Sequence, residues 1–120
     1  MYVLVGVDGT DASLTALEQA LERAREAGDD LTVAVLVDAD AAGDSLASTV
    51  RSTVDDSSVD ASVTDVNGTP ASSLVELADR EGYDRLVIAG GRRSPLGKIN
   101  LDSFTEFVLL NATTSVTLIR

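Results

Sequence analysis

One short segment groups three of the nine cationic residues of this chain with three glycines, a combination that could bind an anion. It reads GGRRSPLGK, from Gly90 to Lys98, and it holds Arg92, Arg93 and the sole lysine of the chain. Glycines let peptide N–H groups approach an anion closely, and an arginine can grip a phosphate through two hydrogen bonds. We interpret the segment as a site for a phosphate-bearing small molecule. The alternative is that the segment is only a turn, and that its arginines balance the negative charge of an acidic surface.

The composition narrows the chemistry that this segment could serve. The chain of 120 residues has no cysteine and no histidine. This excludes disulfides, thiolate metal sites and Ser–His or Cys–His catalysis, so we expect no catalytic residues and no protein metal site. The net charge of −11 also disfavours nucleic acids and anionic membranes as partners.

Apolar runs alternate along the chain with segments of helical periodicity, and this alternation is typical of an α/β protein with a parallel sheet. Thr10 or Asp11 is expected to cap the first helix and Gly28 to end it, while Thr69 and Pro70 should begin the third. We predict a single doubly wound domain over residues 1–120, with helices on both faces of the sheet. The predicted strands are Tyr2–Asp8, Leu31–Val37, Val59–Val66, Asp84–Gly90 and Ser115–Ile119, and the predicted helices are Ala12–Ala27, Gly43–Val54, Ala71–Glu81 and Ser103–Asn111.

In such sheets a ligand binds beyond the carboxyl ends of the strands, where the strand order reverses. The first and fourth predicted strands end at Asp8 and Gly90, so the topology brings the cationic segment to the expected crevice. The segment also leads towards a helix start at Ser103, where the helix dipole favours an anion. A Walker A loop is excluded because five residues, rather than four, separate Gly91 from Gly97. A phosphoacceptor receiver domain is disfavoured because the last strand, SVTLIR, has no lysine.

Three stretches resemble the universal stress protein family. They are VLVGVDGTDASLTALEQALERA near the start, NGTPASSLVELADREGYDRLVIAGG in the second half, and SFTEFVLLNATTSVTLIR at the end. The resemblance implies a five-stranded sheet in the order 3-2-1-4-5, of the adenine nucleotide alpha hydrolase-like kind. It also implies ATP, with Mg²⁺ as its accompanying ion, in the crevice described above. GGRRSPLGK is similar to loops in haloarchaeal members, which suits the acidic composition.

The resemblance carries a nucleotide-binding pattern of Gly, two residues, Gly, nine residues, Gly, then Ser or Thr. Gly90 and Ser103 match its ends, whereas Arg93 and, after one deletion, Asp102 fall on the other two glycines. Asp102 could repel the phosphates, or it could cap the helix and occupy the anion site itself. The residues that the segment and the resemblance together assign to nucleotide binding are Asp8, Leu36, Val37, Ala89, Gly90, Gly91, Arg92, Arg93, Gly97, Lys98, Ser103 and Thr105.

Two hypotheses of function follow from the resemblance. The first is a cytoplasmic regulatory protein that binds ATP, with at most slow, incidental hydrolysis. The second is a stress-family protein that binds no ATP and acts as a dimeric interaction module. Under either hypothesis we expect a homodimer through the last strand, Ser115–Ile119, because an apolar sheet edge tends to be paired.

Overall fold

The fold was analysed in a computed structural model that describes residues 1–36, 43–66, 69–90, 92–93, 99–100 and 103–119. Strands and helices alternate along the chain from the first residues to the last. Their bounds are β1 Tyr2–Val7, α1 Asp11–Ala27, β2 Asp30–Leu36, α2 Gly43–Ser57, β3 Ser62–Val66, α3 Pro70–Arg80, β4 Arg85–Ala89, β5 Arg92–Arg93, β6 Ile99–Asn100, α4 Ser103–Asn111 and β7 Ser115–Ile119.

Five of the strands form one parallel sheet in the order β3-β2-β1-β4-β7. With β7 as the fifth predicted strand, this confirms the expected order 3-2-1-4-5. The strand order reverses between β1 and β4, so their carboxyl ends flank the crevice that such a sheet offers to a ligand.

Apolar side chains fill both faces of the sheet because the central strands are apolar at consecutive positions. Val5 faces a cluster formed with α1 and α2, which includes Leu17. The preceding residue, Leu4, faces the opposite cluster with α3 and α4, which includes Leu74. Successive side chains of a strand alternate between faces, so β1 can be buried on both sides only if it is apolar throughout.

The ends of α1 follow the predicted capping pattern. The Thr10 hydroxyl accepts a hydrogen bond from the Ser13 N–H at 3.2 Å. Gly28 ends the helix in the left-handed conformation, with φ 72°, and its N–H donates to the Ala24 carbonyl at 2.8 Å. Thr10 is therefore the cap of this helix, and Asp11 is its first residue.

At the amino end of the sheet, two tyrosines tie β1 to the turn before β4. The rings of Tyr2 and Tyr83 are stacked, with centroids 4.0 Å apart. Burial raises the pKa of Tyr83 to about 12, and contacts with Tyr2 add to the rise while a hydrogen bond to Thr32 opposes it. The Tyr2 N–H donates to Asp84 Oδ2 at 2.8 Å, and the Asp84 N–H donates to the Tyr2 carbonyl at 2.7 Å.

Two predicted boundaries were wrong by three residues, several others by one residue, and one strand pair was not predicted. β3 begins at Ser62 rather than Val59, and α2 runs to Ser57 rather than Val54. The predicted cationic loop contains a short antiparallel pair, in which Arg92 faces Asn100 and Arg93 faces Ile99. Strands of two residues are too short to give a periodic signal in the sequence. No helix in the described ranges is long and apolar enough to cross a membrane.

Candidate functional site

Three predicted site residues lie at the carboxyl ends of neighbouring strands of the sheet. Val7 pairs with Val35 of β2, so the next residue, Asp8, is level with Leu36. On the other side the pairing of β1 with β4 ends at Val5 and Val87, which lie three residues before Asp8 and Gly90 respectively. The reversal of strand order between β1 and β4 therefore brings together Asp8, Leu36 and Gly90, which are far apart in sequence.

Asp8 is exposed and held in place by the turn that follows it. Its Oδ1 accepts hydrogen bonds from the Thr10 N–H at 3.0 Å and from the Thr10 hydroxyl at 2.7 Å. Within the described part of the chain, its Oδ2 accepts no hydrogen bond. Thr10 thus has two roles, because the same residue caps α1 and orients this carboxylate towards solvent.

Gly90 is glycine because the surrounding atoms leave no room for a side chain. A Cβ at this position would lie 2.6 Å from Thr105 Oγ1, 2.9 Å from Thr105 Cγ2 and 2.8 Å from Leu118 Cδ1. The backbone of Gly90 does not adopt a left-handed conformation, so crowding alone imposes the glycine. The Gly90 N–H donates to the Ile119 carbonyl at 3.0 Å, which fixes its backbone against β7.

The structure describes some of the other predicted site residues fully, some only in their backbone, and some not at all. Ala89 is partly exposed, Leu36 is buried, and Thr105 is fully buried against Gly90. Ser103 is the exposed first residue of the nine-residue helix α4. For Arg92 and Arg93 the backbone pairing is described, whereas Val37, Gly91, Gly97 and Lys98 lie outside the described residues, as does Asp102.

Sequence analysis missed an apolar groove between the amino ends of α3 and α4. Its volume is about 380 Å³. Two signals were available, the Thr-Pro helix start and the spacing of three residues between the phenylalanines. Its lining residues are Thr69, Pro70, Ala71, Ser72, Ser103, Phe104 and Phe107.

The amino end of α3 also differs from its predicted capping. Thr69 occupies the cap position and Pro70 the first helical position, as expected, but the Thr69 hydroxyl makes no capping hydrogen bond. Instead the Thr69 carbonyl accepts from the Ser73 N–H at 2.9 Å and from the Ser72 hydroxyl at 3.3 Å. Among the described residues, no three acidic side chains lie close enough together to hold a metal ion.

The whole chain, residues 1–120, matches the model of the universal stress protein family. The chain belongs to this family. A search of curated proteins returned no match.

Solved structures of universal stress proteins share the fold along the full chain. A universal stress protein from Archaeoglobus fulgidus has 23% identity and a TM-score of 0.82, with 100% of this chain and 98% of that one covered. A universal stress protein solved in complex with cAMP has 28% identity and a TM-score of 0.82, covering 100% and 96%. An Archaeoglobus fulgidus protein solved in complex with dAMP has 19% identity and a TM-score of 0.76, covering 100% and 98%.

Proposed function

We propose that this protein is a regulatory adenine-nucleotide-binding protein, with its ligand at the carboxyl ends of β1 and β4. The observation that carries the proposal is the alignment of Asp8, Leu36 and Gly90 along one edge of the sheet. The universal stress proteins solved with cAMP and with dAMP support an adenine nucleotide as the ligand. Residues 1–120 would form one domain built around this site.

Different residues at this edge would bind different parts of the nucleotide. The nucleoside would lie against the ends of β1 and β2, where Asp8 Oδ2 can accept a hydrogen bond from a ribose hydroxyl or a base amine. The phosphates would lie near the Arg92–Arg93 strand and the start of α4 at Ser103, because that helix end and the arginines favour negative charge. We propose ATP as the preferred nucleotide, with Mg²⁺ carried on its phosphate oxygens.

A second candidate function is a dimeric interaction module that binds no nucleotide. It is favoured by β7, an edge strand of the sequence SVTLI with no charged residue. Four of its five side chains, from Val116 to Ile119, are partly exposed, so a second copy could add to the edge without burying a charge. We propose this homodimer under both functions.

Equilibrium binding separates the two functions. Labelled ATP would be titrated against the full chain with Mg²⁺, in low and in high salt, with AMP and cAMP as competitors. Loss of one charge-assisted contact costs about 1.5–3 kcal/mol, so Arg92→Ala should weaken ATP binding by roughly 10- to 100-fold. Ser103→Ala should weaken it by a smaller factor, because a hydrogen bond between neutral groups is worth about 1 kcal/mol.

Matched control variants are available far from the crevice. Arg80→Ala removes an exposed arginine on α3, and Ser62→Ala removes an exposed serine at the start of β3. Neither control should change ATP affinity. The nucleotide proposal is wrong if ATP fails to saturate the protein, or if the crevice variants bind as the controls do. The interaction module would then be the better account.

We also propose that the protein works in the cytoplasm of a salt-adapted cell. The net charge of −11 implies self-repulsion, which dissolved salt screens. Unfolding midpoints measured at rising KCl concentrations should increase steadily. A midpoint that does not change with KCl would contradict adaptation to salt.

A further inference from the structure

The sheet has a second edge at β3, opposite β7, and this edge is also open in the described part of the chain. β2 pairs with one side of β3, and no described strand pairs with the other. Val63 and Thr64, in the middle of β3, are only partly buried, whereas the residues of β2 paired with them are buried. The free N–H and C=O groups of an edge strand are a template for an added strand.

A groove runs beside this edge on each face of the sheet. On the α3 side, β3 and the helix enclose a groove of about 290 Å³ whose lining includes Thr64, Val66 and Leu77. On the α2 side, a groove of about 270 Å³ is lined by residues that include Val54 and Val63. Successive side chains of an added strand point to opposite faces, so its odd and even residues would enter different grooves.

Acidic side chains surround the edge. Asp65 belongs to β3 and is exposed, Glu76 lines the α3-side groove, and Asp55 lines the α2-side groove. Each groove also has one arginine, Arg80 on the α3 side and Arg51 on the α2 side, where its charge offsets that of Asp55. On the α3 side, Arg80 lies 3.6 Å from Glu76 and 3.4 Å from Glu81, so acids already offset its charge. The strand and the α3-side groove therefore have an excess of acidic side chains and suit basic ones, whereas the α2-side groove suits apolar side chains.

The same charges disfavour a second copy of this chain at β3. Pairing two β3 strands would bring two sets of the acids Asp55, Asp65 and Glu76 together, on chains that each carry a net charge of −11. Like charges across paired strands are destabilising. The edge at β7 has no charged residue, so two copies of β7 could pair without this repulsion. The two edges of the sheet thus differ in the partners they can accept.

We propose that the β3 edge binds an extended, basic segment of another protein, which adds to the sheet as a sixth strand. Backbone hydrogen bonds to β3 provide the alignment, and alternate side chains of the segment occupy the two grooves. Lysines or arginines of the segment face Asp65 and Glu76, and the apolar residues between them enter the α2-side groove. This surface is separate from the crevice at β1 and β4, so binding does not require a nucleotide.

The test uses a nine-residue peptide with blocked ends in which lysine alternates with valine or threonine. Two control peptides have the same length, one with glutamate in place of lysine and one with alternate backbone amides N-methylated. Each is titrated into the full, nucleotide-free chain at the lowest salt in which the chain stays folded, while backbone amides are followed by NMR. We expect saturable binding of the lysine peptide, with the largest shifts and new exchange protection at Ser62–Val66.

Charge-reversal variants test the assignment. Asp65→Lys and Glu76→Lys should each weaken binding by about five-fold or more, since each turns an attraction into a repulsion. Glu18→Lys, which changes an exposed acid on α1, should not alter the affinity. Circular dichroism of each variant would establish that it is folded.

Several outcomes would overturn the proposal. The edge is not a peptide site if the lysine peptide fails to bind or shifts the amides of β7 instead. Equal binding of the glutamate peptide would exclude the charge argument, and equal binding of the N-methylated peptide would exclude strand addition. Self-association of the chain through β3, seen as concentration-dependent shifts at these amides without peptide, would assign the edge to a second copy.

Discussion

Replacing Gly90 with alanine tests whether crowding sets the geometry of the crevice. The new Cβ would lie 2.6 Å from Thr105 Oγ1, 2.8 Å from Leu118 Cδ1 and 2.9 Å from Thr105 Cγ2. All three distances are well below van der Waals contact. Thr105 is fully buried, so its side chain has no open space into which it could move.

Overpacking of this kind costs about 1–3 kcal/mol. In a chain of this length we expect the unfolding midpoint of Gly90→Ala to fall by about 4–12 °C. The shift of the Gly90 backbone should also weaken nucleotide binding, because this residue directly follows β4 at the proposed site. Thermal unfolding by circular dichroism and titration with labelled ATP would measure the two effects.

A double-mutant cycle isolates the contact. Thr105→Ala removes two of the three crowding atoms, so adding it to Gly90→Ala should recover about 1 kcal/mol relative to the sum of the single changes. Gly82→Ala is the matched control, since Gly82 has φ 70° and no atom near its Cβ position. Its cost comes from the backbone, about 1 kcal/mol, and Thr105→Ala should not relieve it. Full stability of Gly90→Ala, or no relief by Thr105→Ala, would refute the reasoning.

Three further predictions concern other parts of the fold. Thr10→Ala removes the cap of α1 and should lower the free energy of unfolding by about 1 kcal/mol in urea titrations, whereas an unchanged value would mean that the cap is not needed. The pKa of Tyr83, raised to about 12, favours the neutral phenol in the folded state, so stability should fall as pH rises from 10 towards 12. Two pKa units correspond to about 2–3 kcal/mol, and Tyr83→Phe should flatten that fall in unfolding experiments at several pH values. Thr117→Asp puts a charge on β7 and should shift the proposed dimer to monomer in sedimentation, and an unchanged dimer would place the interface elsewhere.

The sheet could be predicted from the sequence because its signals are local. The consecutive apolar residues of β1 and β2 allow only strands buried on both faces, and Thr10 and Gly28 mark the ends of α1 at short range. The start of β3 was harder, since Val59 and Ala61 continue its alternating pattern beyond the paired residues. Such alternation does not say where pairing with β2 begins.

The carboxyl edge of the sheet could be predicted in position but not in its packing. The topology alone predicted that Asp8 and Gly90 follow neighbouring strands. It could not predict why position 90 is glycine, because the crowding comes from Thr105 and Leu118, which are distant in sequence. The groove beside Phe104 and Phe107 likewise depends on how α3 packs against α4. These contacts join residues that are far apart in the chain, so no short stretch of sequence predicts them.

The contact of Gly90 with β7 has a consequence for how the protein could signal. The Gly90 N–H bonds to the carbonyl of Ile119, and Leu118 packs against the same glycine, so one residue borders both the crevice and the outermost strand. In the proposed dimer, a nucleotide that moves this backbone would change the shape of the surface offered to the second subunit, with no intervening layer. Thermodynamic reciprocity then requires subunit association to alter ligand affinity by the same factor. Nucleotide binding and dimer formation would therefore be coupled through the single peptide unit of Gly90.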